Sequence, residues 1–271
     1  MATVADIARL IESFAPTSAI YEYDNVGLLV GSGSMQVDRI LCCLDLTTQV
    51  LQEAKSLAVN LIITHHPIIF GSIKSIVDNS AVGRLLLDVI QSNIAVYSAH
   101  TNLDFVLGGI NDYIADILGI VDSVPIEPYI DKVQGLGRVG NLRSRMSVVE
   151  FGNVISTLLQ DNCVRIVGDF DKSIGRVAVV NGGGGSDIKY IDMALQNGAD
   201  CIVTGDVKHH VAIHARECGI VLIEAQHYCM EYPYIGVLVA KLVQLVKQNN
   251  INVDIVQSIQ DINPKVLYTS Q

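Results

Sequence analysis

The sequence predicts an α/β protein built from two similar lobes, and three observations carry that expectation. Short Val/Ile/Leu runs alternate with amphipathic helical stretches along nearly the whole chain, which is the grammar of βαβ units. Several of these runs are near-continuous rather than alternating, as strands covered on both faces read. The unusual polar residues cluster just past the ends of the runs, where open α/β sheets place their ligands.

Strands are expected at 39–46, 61–64, 95–98, 176–181, 201–204 and 221–224. Helices are expected at 4–14, 47–57, 81–91, 111–118, 187–197, 209–218 and 234–247. The two halves rhyme in order and in where polar residues fall, though not in identity. Three runs of the first half end in Asp45-Leu46-Thr47, Thr64-His65-His66 and Ser98-Ala99-His100-Thr101. Three of the second half end in Asn181-Gly182-Gly183, Thr204-Gly205-Asp206 and Glu224-Ala225-Gln226-His227. This suggests a structural duplication. Turn-forming residues concentrate at 121–145, with Pro125, Pro128, Gly135, Gly137 and Gly140, so the crossing between lobes is placed there. The expected domains are 1–128, carrying His65, His66 and Asp104, and 129–271, carrying His227 and Glu231. The terminal helix has the option of packing on the first lobe.

Composition excludes several classes. With 271 residues, half of them apolar, the chain is comfortable for two α/β lobes. No stretch approaches the roughly 20 apolar residues of a membrane helix, and the N-terminus lacks the basic region of a signal peptide. The six cysteines are scattered, mostly inside apolar segments, with no Cys-x-x-Cys pair. They read as buried reduced thiols of a cytoplasmic protein rather than a disulfide framework. A net charge of −10 with no basic cluster argues against a nucleic-acid face. There is no Gly-x-Ser-x-Gly elbow, and Cys229, although near His227, gives no good case for thiol chemistry.

The most informative feature is His65-His66, closing an apolar run and followed by Pro67. Each imidazole brings nitrogens that need partners or a ligand. Neighbours on an extended strand point to opposite faces, so two adjacent histidines suit two centres, as in a pair of metal ions sharing a carboxylate. Asp104 offers a hard oxygen ligand after the next run, and His100 a further ligand or a proton-handling neighbour. If a helix begins at His227, then His227 and Glu231 lie on one face at i and i+4, suited to one metal or to a glutamate bridging two. A lone strand-end histidine is more often a hydrogen-bonded core residue than a ligand, and an isolated His/Glu helical pair is more often solvated. Here four histidines and two carboxylates all fall at strand ends, and the conjunction favours metal.

Three further stretches are ambiguous. In 205–210, with His214 beyond, His210 and His214 are again i and i+4 but have no carboxylate at helical spacing. They either support ligands and substrate or form a histidine-rich helix start facing solvent. The run Gly182 to Gly185 reads as a tight strand-to-helix turn before it reads as an anion cradle, lacking P-loop or dinucleotide spacing. Residues 24–31 read as a turn leading into an apolar strand.

Taken in order, Asp24-Asn25-Val26-Gly27-Leu28-Leu29-Val30-Gly31, Thr64-His65-His66-Pro67, 98–104, Thr204-Gly205-Asp206 and His227-Tyr228-x-x-Glu231 resemble the Nif3-like family. Its members are also called GTP cyclohydrolase I type 2 homologues or dinuclear metal centre proteins. The resemblance runs from about Asp24 to Glu231, in a short form without the inserted domain of some members. It implies two similar three-layer α/β lobes with a metal cleft between them, and a ring-shaped homohexamer. The implied ligands are His65, His66, Asp104, His227 and Glu231, with Glu231 bridging two divalent ions (Zn, Fe, Mn, Ni or Co). His100 would stand beside them, and His210 matches a histidine common after the family's Gly-Asp step. Tyr23 stands where tryptophan is frequent and Gln226 where a small residue is usual, which bears on the pocket beside His227.

The function this implies is a cytoplasmic, metal-dependent hydrolase, with His100 or His210 moving protons. Its substrate would be GTP or a related nucleotide or heterocycle. The alternatives are a metal-binding or metal-delivery protein without turnover, and a ring-shaped regulatory scaffold. A DNA-encircling ring is disfavoured by the charge.

Overall fold

The computed structural model describes residues 1–19, 21, 24–129 and 134–268. Tyr23 lies outside them. The chain forms two compact units: Met1–Leu103 with Tyr234–Ile262, and Asp104–Pro233 with the stretch from Asn263.

In the first unit a five-stranded sheet runs in the order Asp254–Gln257, Arg39–Cys43, Leu61–Thr64, Ala95–Ser98, Gly27–Val30. The first four are parallel and the last is antiparallel. Leu41, Ile62 and Val96 form one row across the central strands, all of them buried. Each such side chain contributes about 1.5–3 kcal/mol on burial. This is why the runs must be apolar on both faces. The helices that cover them are stopped and started locally. Thr3 caps Val4–Glu12 in a reciprocal box with Asp6, Thr47 accepts from Val50 N, and Ser80 accepts from Gly83 N.

The second unit repeats the core. Ser173–Val180, Cys201–Thr204 and Val221–Glu224 are parallel, with the buried row Ala178, Ile202, Leu222. As in the first unit, the third strand of this trio is flanked by an antiparallel strand that precedes the trio in sequence, here Arg165–Val167. The expected rhyme is therefore a shared topology. On the other side lie the antiparallel strands Arg138–Ser147 and Ile120–Val124.

Those last two strands depart from the sequence expectation, which placed an inter-lobe crossing at 121–145. The glycines there serve close strand approach rather than a linker. A Cβ on Gly140 would stand 2.6 Å from the Val121 carbonyl oxygen and 2.7 Å from Ile120 Cγ2. The half-exposed pattern of Arg138–Ser147 hid it, because four of its ten residues are exposed and no alternation holds through its end. The helix Val148–Leu158, opened by a Ser147/Glu150 capping box, was also missed.

The expected helix at 234–247 extends from His227 to Gln248 with Pro233 inside it. By length and composition it is apolar enough to cross a membrane, contrary to the sequence expectation. Its buried apolar residues Met230, Tyr234, Ile235, Leu238, Leu242 and Val246 recur mostly every fourth position, the stripe of a core helix. All six cysteines are free: Cys42, Cys43 and Cys201 are buried, Cys163 and Cys229 are partly buried, and Cys218 is exposed. The expectation of buried thiols fails at Cys218 because that residue caps the exposed end of helix His209–Glu217.

Gly140→Ala is expected to destabilise the chain by ~1–3 kcal/mol through overpacking. Urea unfolding would read this as a lower midpoint at unchanged slope. An unchanged midpoint would contradict the strand crossing at this glycine.

Candidate metal centre

Parallel strands in register end together, and this places the first group of side chains. Thr64 pairs with Ser98 at the last rung, their hydroxyls 2.6 Å apart. The residues that follow, His65-His66 and Ala99-His100, therefore emerge at one edge. Beyond Thr64 the chain bends, while His65 N and His66 N still donate to Cys43 O and Leu44 O at 3.1 and 3.0 Å. Strand alternation stops at that bend, so the two rings do not point to opposite faces as the pleat argument expected. Their centroids are 5.0 Å apart, and those of His65 and His100 are 5.2 Å apart. One nitrogen from each of the three rings lies within 4.8 Å of the others.

Each ring is oriented through Nδ1. His65 Nδ1 is 2.8 Å from Ala99 O, His66 Nδ1 is 2.9 Å from Asp45 Oδ1, and His100 Nδ1 is 2.7 Å from Asp24 Oδ1. An oxygen at Nδ1 fixes the neutral tautomer with its lone pair on Nε2, the form in which histidine ligates metals. Asp24 is itself held by the Thr101 hydroxyl and backbone N–H. Burial would push its carboxyl up, but the hydrogen bond from His100 and the attraction of that ring once it is protonated at low pH, with the bonds from Thr101 and Asn25, outweigh that and lower its pKa to about 2.

The second unit gathers the carboxylates. Helix His227–Gln248 starts at His227, so the conditional spacing holds: His227 Nε2 is 2.8 Å from Glu231 Oε2. His227 Nδ1 is 2.7 Å from Asp206 Oδ2, the same orienting device. Asp206 adopts a positive φ of 49°, uncommon for a residue with a side chain, and its other oxygen accepts from Lys265 Nζ at 3.0 Å. Burial alone would raise the Asp206 carboxyl, yet its bonds to His227 and Lys265 lower it.

One amide joins the two buried acids: Asn181 Nδ2 donates to Asp104 Oδ1 and to Glu231 Oε1, each at 2.9 Å. Asp104 and Glu231 are only 7% and 2% exposed. Two carboxylates this close repel one another unless a proton or a cation compensates them. Gly182, at φ +55°, is shaped by this acid. A Cβ there would lie 2.1 Å from Glu231 Oε1 and 3.1 Å from His227 Nε2, so only glycine fits.

The donor chemistry thus fits divalent metal: imidazoles fixed in the ligating tautomer and buried hard oxygens. Of the histidines read from sequence, His65, His66 and His100 come together, and His227 meets Glu231. His210 is exposed on the first turn of helix His209–Glu217, and its side chain makes no hydrogen bond or ion pair among the described residues. Sequence reasoning passed over Asp24, Asp45, Asn181 and Gly182 as working residues, although every one lay in a stretch it had marked; Asp206 lies in the 205–210 stretch read as supporting ligands or substrate, and it orients His227. Cys229 has its thiol pushed up to about 11 by burial, which leaves it a poor nucleophile at neutral pH.

Comparison with known proteins gives a consistent picture. The family described as Duf34/NIF3 (NGG1p interacting factor 3) matches residues 2–264. A protein of Clostridium acetobutylicum named "GTP cyclohydrolase 1 type 2 homolog" is 38% identical over 96% of this chain and 97% of its own length. A solved structure of a Staphylococcus aureus hypothetical protein superposes with TM-score 0.88 at 30% identity, covering 98% of this chain and 99% of the other. A Bacillus cereus protein related to NIF3 shares the fold at TM-score 0.90 and 24% identity, over 98% of this chain and 99% of its own.

The anchoring of Asp24 has a pH signature. Its folded pKa lies below the ordinary 3.8, so it stabilises the fold at higher pH and loses that contribution as pH falls from about 4 towards 2. Over that window the wild type should lose about 2 kcal/mol more stability than Asp24→Asn, read by urea unfolding at a series of pH values. Parallel pH profiles would remove the bond network from its assigned role.

Proposed function

The chain belongs to the Duf34/NIF3 family, and from that premise we propose that it is a protein of two divalent metal ions acting as a hydrolase. The residues that would hold the ions are His65, His66, Asp104, His227 and Glu231. The observation that carries this reading is the shared orientation of the histidines, each Nδ1 held by an oxygen at 2.7–2.9 Å. Such orienting bonds cost conformational freedom and are the usual support of metal-ligating imidazoles.

Divalent ions bound there would supply Lewis acidity for attack by water. The chain's own groups supply the rest. Asn181 sets the angle of both acids, and Asp206 and Asp45 set those of His227 and His66. His100, held at Nδ1 by Asp24, is the group placed to take or give a proton at Nε2. His210 is the second proton-handling candidate, on the strength of the family resemblance.

The substrate class is a guanine nucleotide or a related heterocycle, a reading supported by the name borne by the Clostridium acetobutylicum relative. A ring of six copies and a cytoplasmic location belong to the same proposal.

Elemental analysis of protein purified without chelator or affinity metal tests the site. The wild type should carry about two ions per chain, and His65→Ala and Glu231→Ala fewer. Asp206→Asn should weaken metal affinity by about 10- to 100-fold while the fold persists. A wild type that neither carries metal nor takes up added zinc, manganese or iron overturns the proposal. Full metal occupancy without turnover of a nucleotide panel would instead favour a metal-delivery role.

A further inference from the structure

Away from these residues, three side chains of different chemistry converge between two neighbouring helices of the second unit. Asp192 stands on helix Lys189–Gln196; His214 stands on helix His209–Glu217, and Cys218 caps that helix. Cys218 keeps helical dihedrals and its N–H donates to His214 O at 2.9 Å, so the imidazole and the thiol lie on one face at i and i+4. His214 Nε2 is 2.7 Å from Asp192 Oδ1 and 3.7 Å from Cys218 Sγ. The three ligand atoms all lie within 4.8 Å of one another.

A histidine, an acid and a cysteine invite comparison with a thiol nucleophile, and the geometry rejects it. In a catalytic triad the acid and the nucleophile sit on opposite imidazole nitrogens. Here both converge on Nε2. That is the arrangement of donors around a shared cation. Ligands of a tetrahedral zinc ion stand roughly 3.3–3.6 Å apart, from the usual zinc–nitrogen, zinc–oxygen and zinc–sulfur bond lengths. The sulfur is already near that distance, and the carboxylate oxygen needs to retreat by roughly 0.6 Å as the ion replaces the shared proton. The position is the C-terminal end of a helix, closed by Gly219 at φ +71°. Its backbone carbonyls there carry the negative end of the helix dipole.

We propose that Asp192, His214 and Cys218 form a separate surface site for one borderline-soft divalent cation, with zinc as the physiological type and a fourth position open to solvent. The side chains of His214 and Asp192 are 31% and 46% exposed, which makes the site accessible and exchangeable. It shares no residue with the proposed dinuclear ligands. It is also the only one of the two sites with a thiolate among its proposed ligands.

That thiolate makes the test selective. Metal-free full-length protein is titrated with Co²⁺ and followed by absorption spectroscopy, since a thiolate bound to cobalt gives a near-ultraviolet charge-transfer band and His/carboxylate sites do not. The band should appear in the wild type and in Glu231→Ala, and be lost in Cys218→Ser and His214→Gln. Circular dichroism confirms that each variant is folded. Absence of the band in a wild type exposed to excess Co²⁺, or its persistence in Cys218→Ser, overturns the site. A band lost in Glu231→Ala but kept in Cys218→Ser would place the thiolate elsewhere and overturn it equally. Loss of the dinuclear centre by elemental analysis leaves this outcome unaffected, so the two proposals fail separately.

Discussion

Everything in the candidate metal centre depends on parallel strands that terminate in register. A parallel pair cannot be joined by a tight turn, so each strand exit is a loop leading into a crossover helix. With three such strands side by side, three exits open at one edge of the sheet. In the first unit those exits carry Asp45, His65-His66 and His100. In the second they carry Asn181-Gly182, Asp206 and His227. Polar side chains that would be ruinous inside either sheet are brought together at its rim by the same hydrogen-bond ladder that buries the apolar rows.

Convergence alone does not make a site, because imidazoles and carboxylates must also be oriented. The chain meets that need with a repeated device, an oxygen placed on each Nδ1. Asp24, Asp45, Asp206 and the Ala99 carbonyl play this part. The acids are oriented differently, by a single amide that donates to both. Asn181 therefore stands where a carboxylate would add repulsion and an apolar residue would leave two buried oxygens short of a donor. The exposed cluster at His214 lacks such a support on the second nitrogen among the described residues, in keeping with a looser, exchangeable site.

Much of this was legible in the chain. Four of the six expected strands agree residue for residue, and helix Ala81–Gln91 does too, because near-continuous apolar runs leave no competing pattern. What escaped were elements whose exposure is mixed. Arg138–Ser147 and Arg165–Val167 carry charges on their outer faces, and Asp254–Gln257 is a short edge strand. The misreading of 121–145 has the same root, since a glycine that lets two backbones approach looks in sequence like a glycine that lets a chain turn. Among site residues the histidines announced themselves, whereas Asn181 and Gly182 did not. Their roles are defined by what lies across from them in the fold.

By itself the sequence determined the fold class, the repeated three-strand core, and the histidines and acids gathered at strand ends. These follow from residue type and spacing along one chain, and both hydrophobic burial and strand periodicity are written there. Only the tertiary structure decided that His65 and His66 face one another past a bend. It alone showed that Asn181 spans Asp104 and Glu231 from 77 and 50 positions away. It also put a carboxylate and a thiol on the same nitrogen of His214. Those are relations between side chains distant in sequence or set by a local bend, and their distances come into being only when the strands are packed.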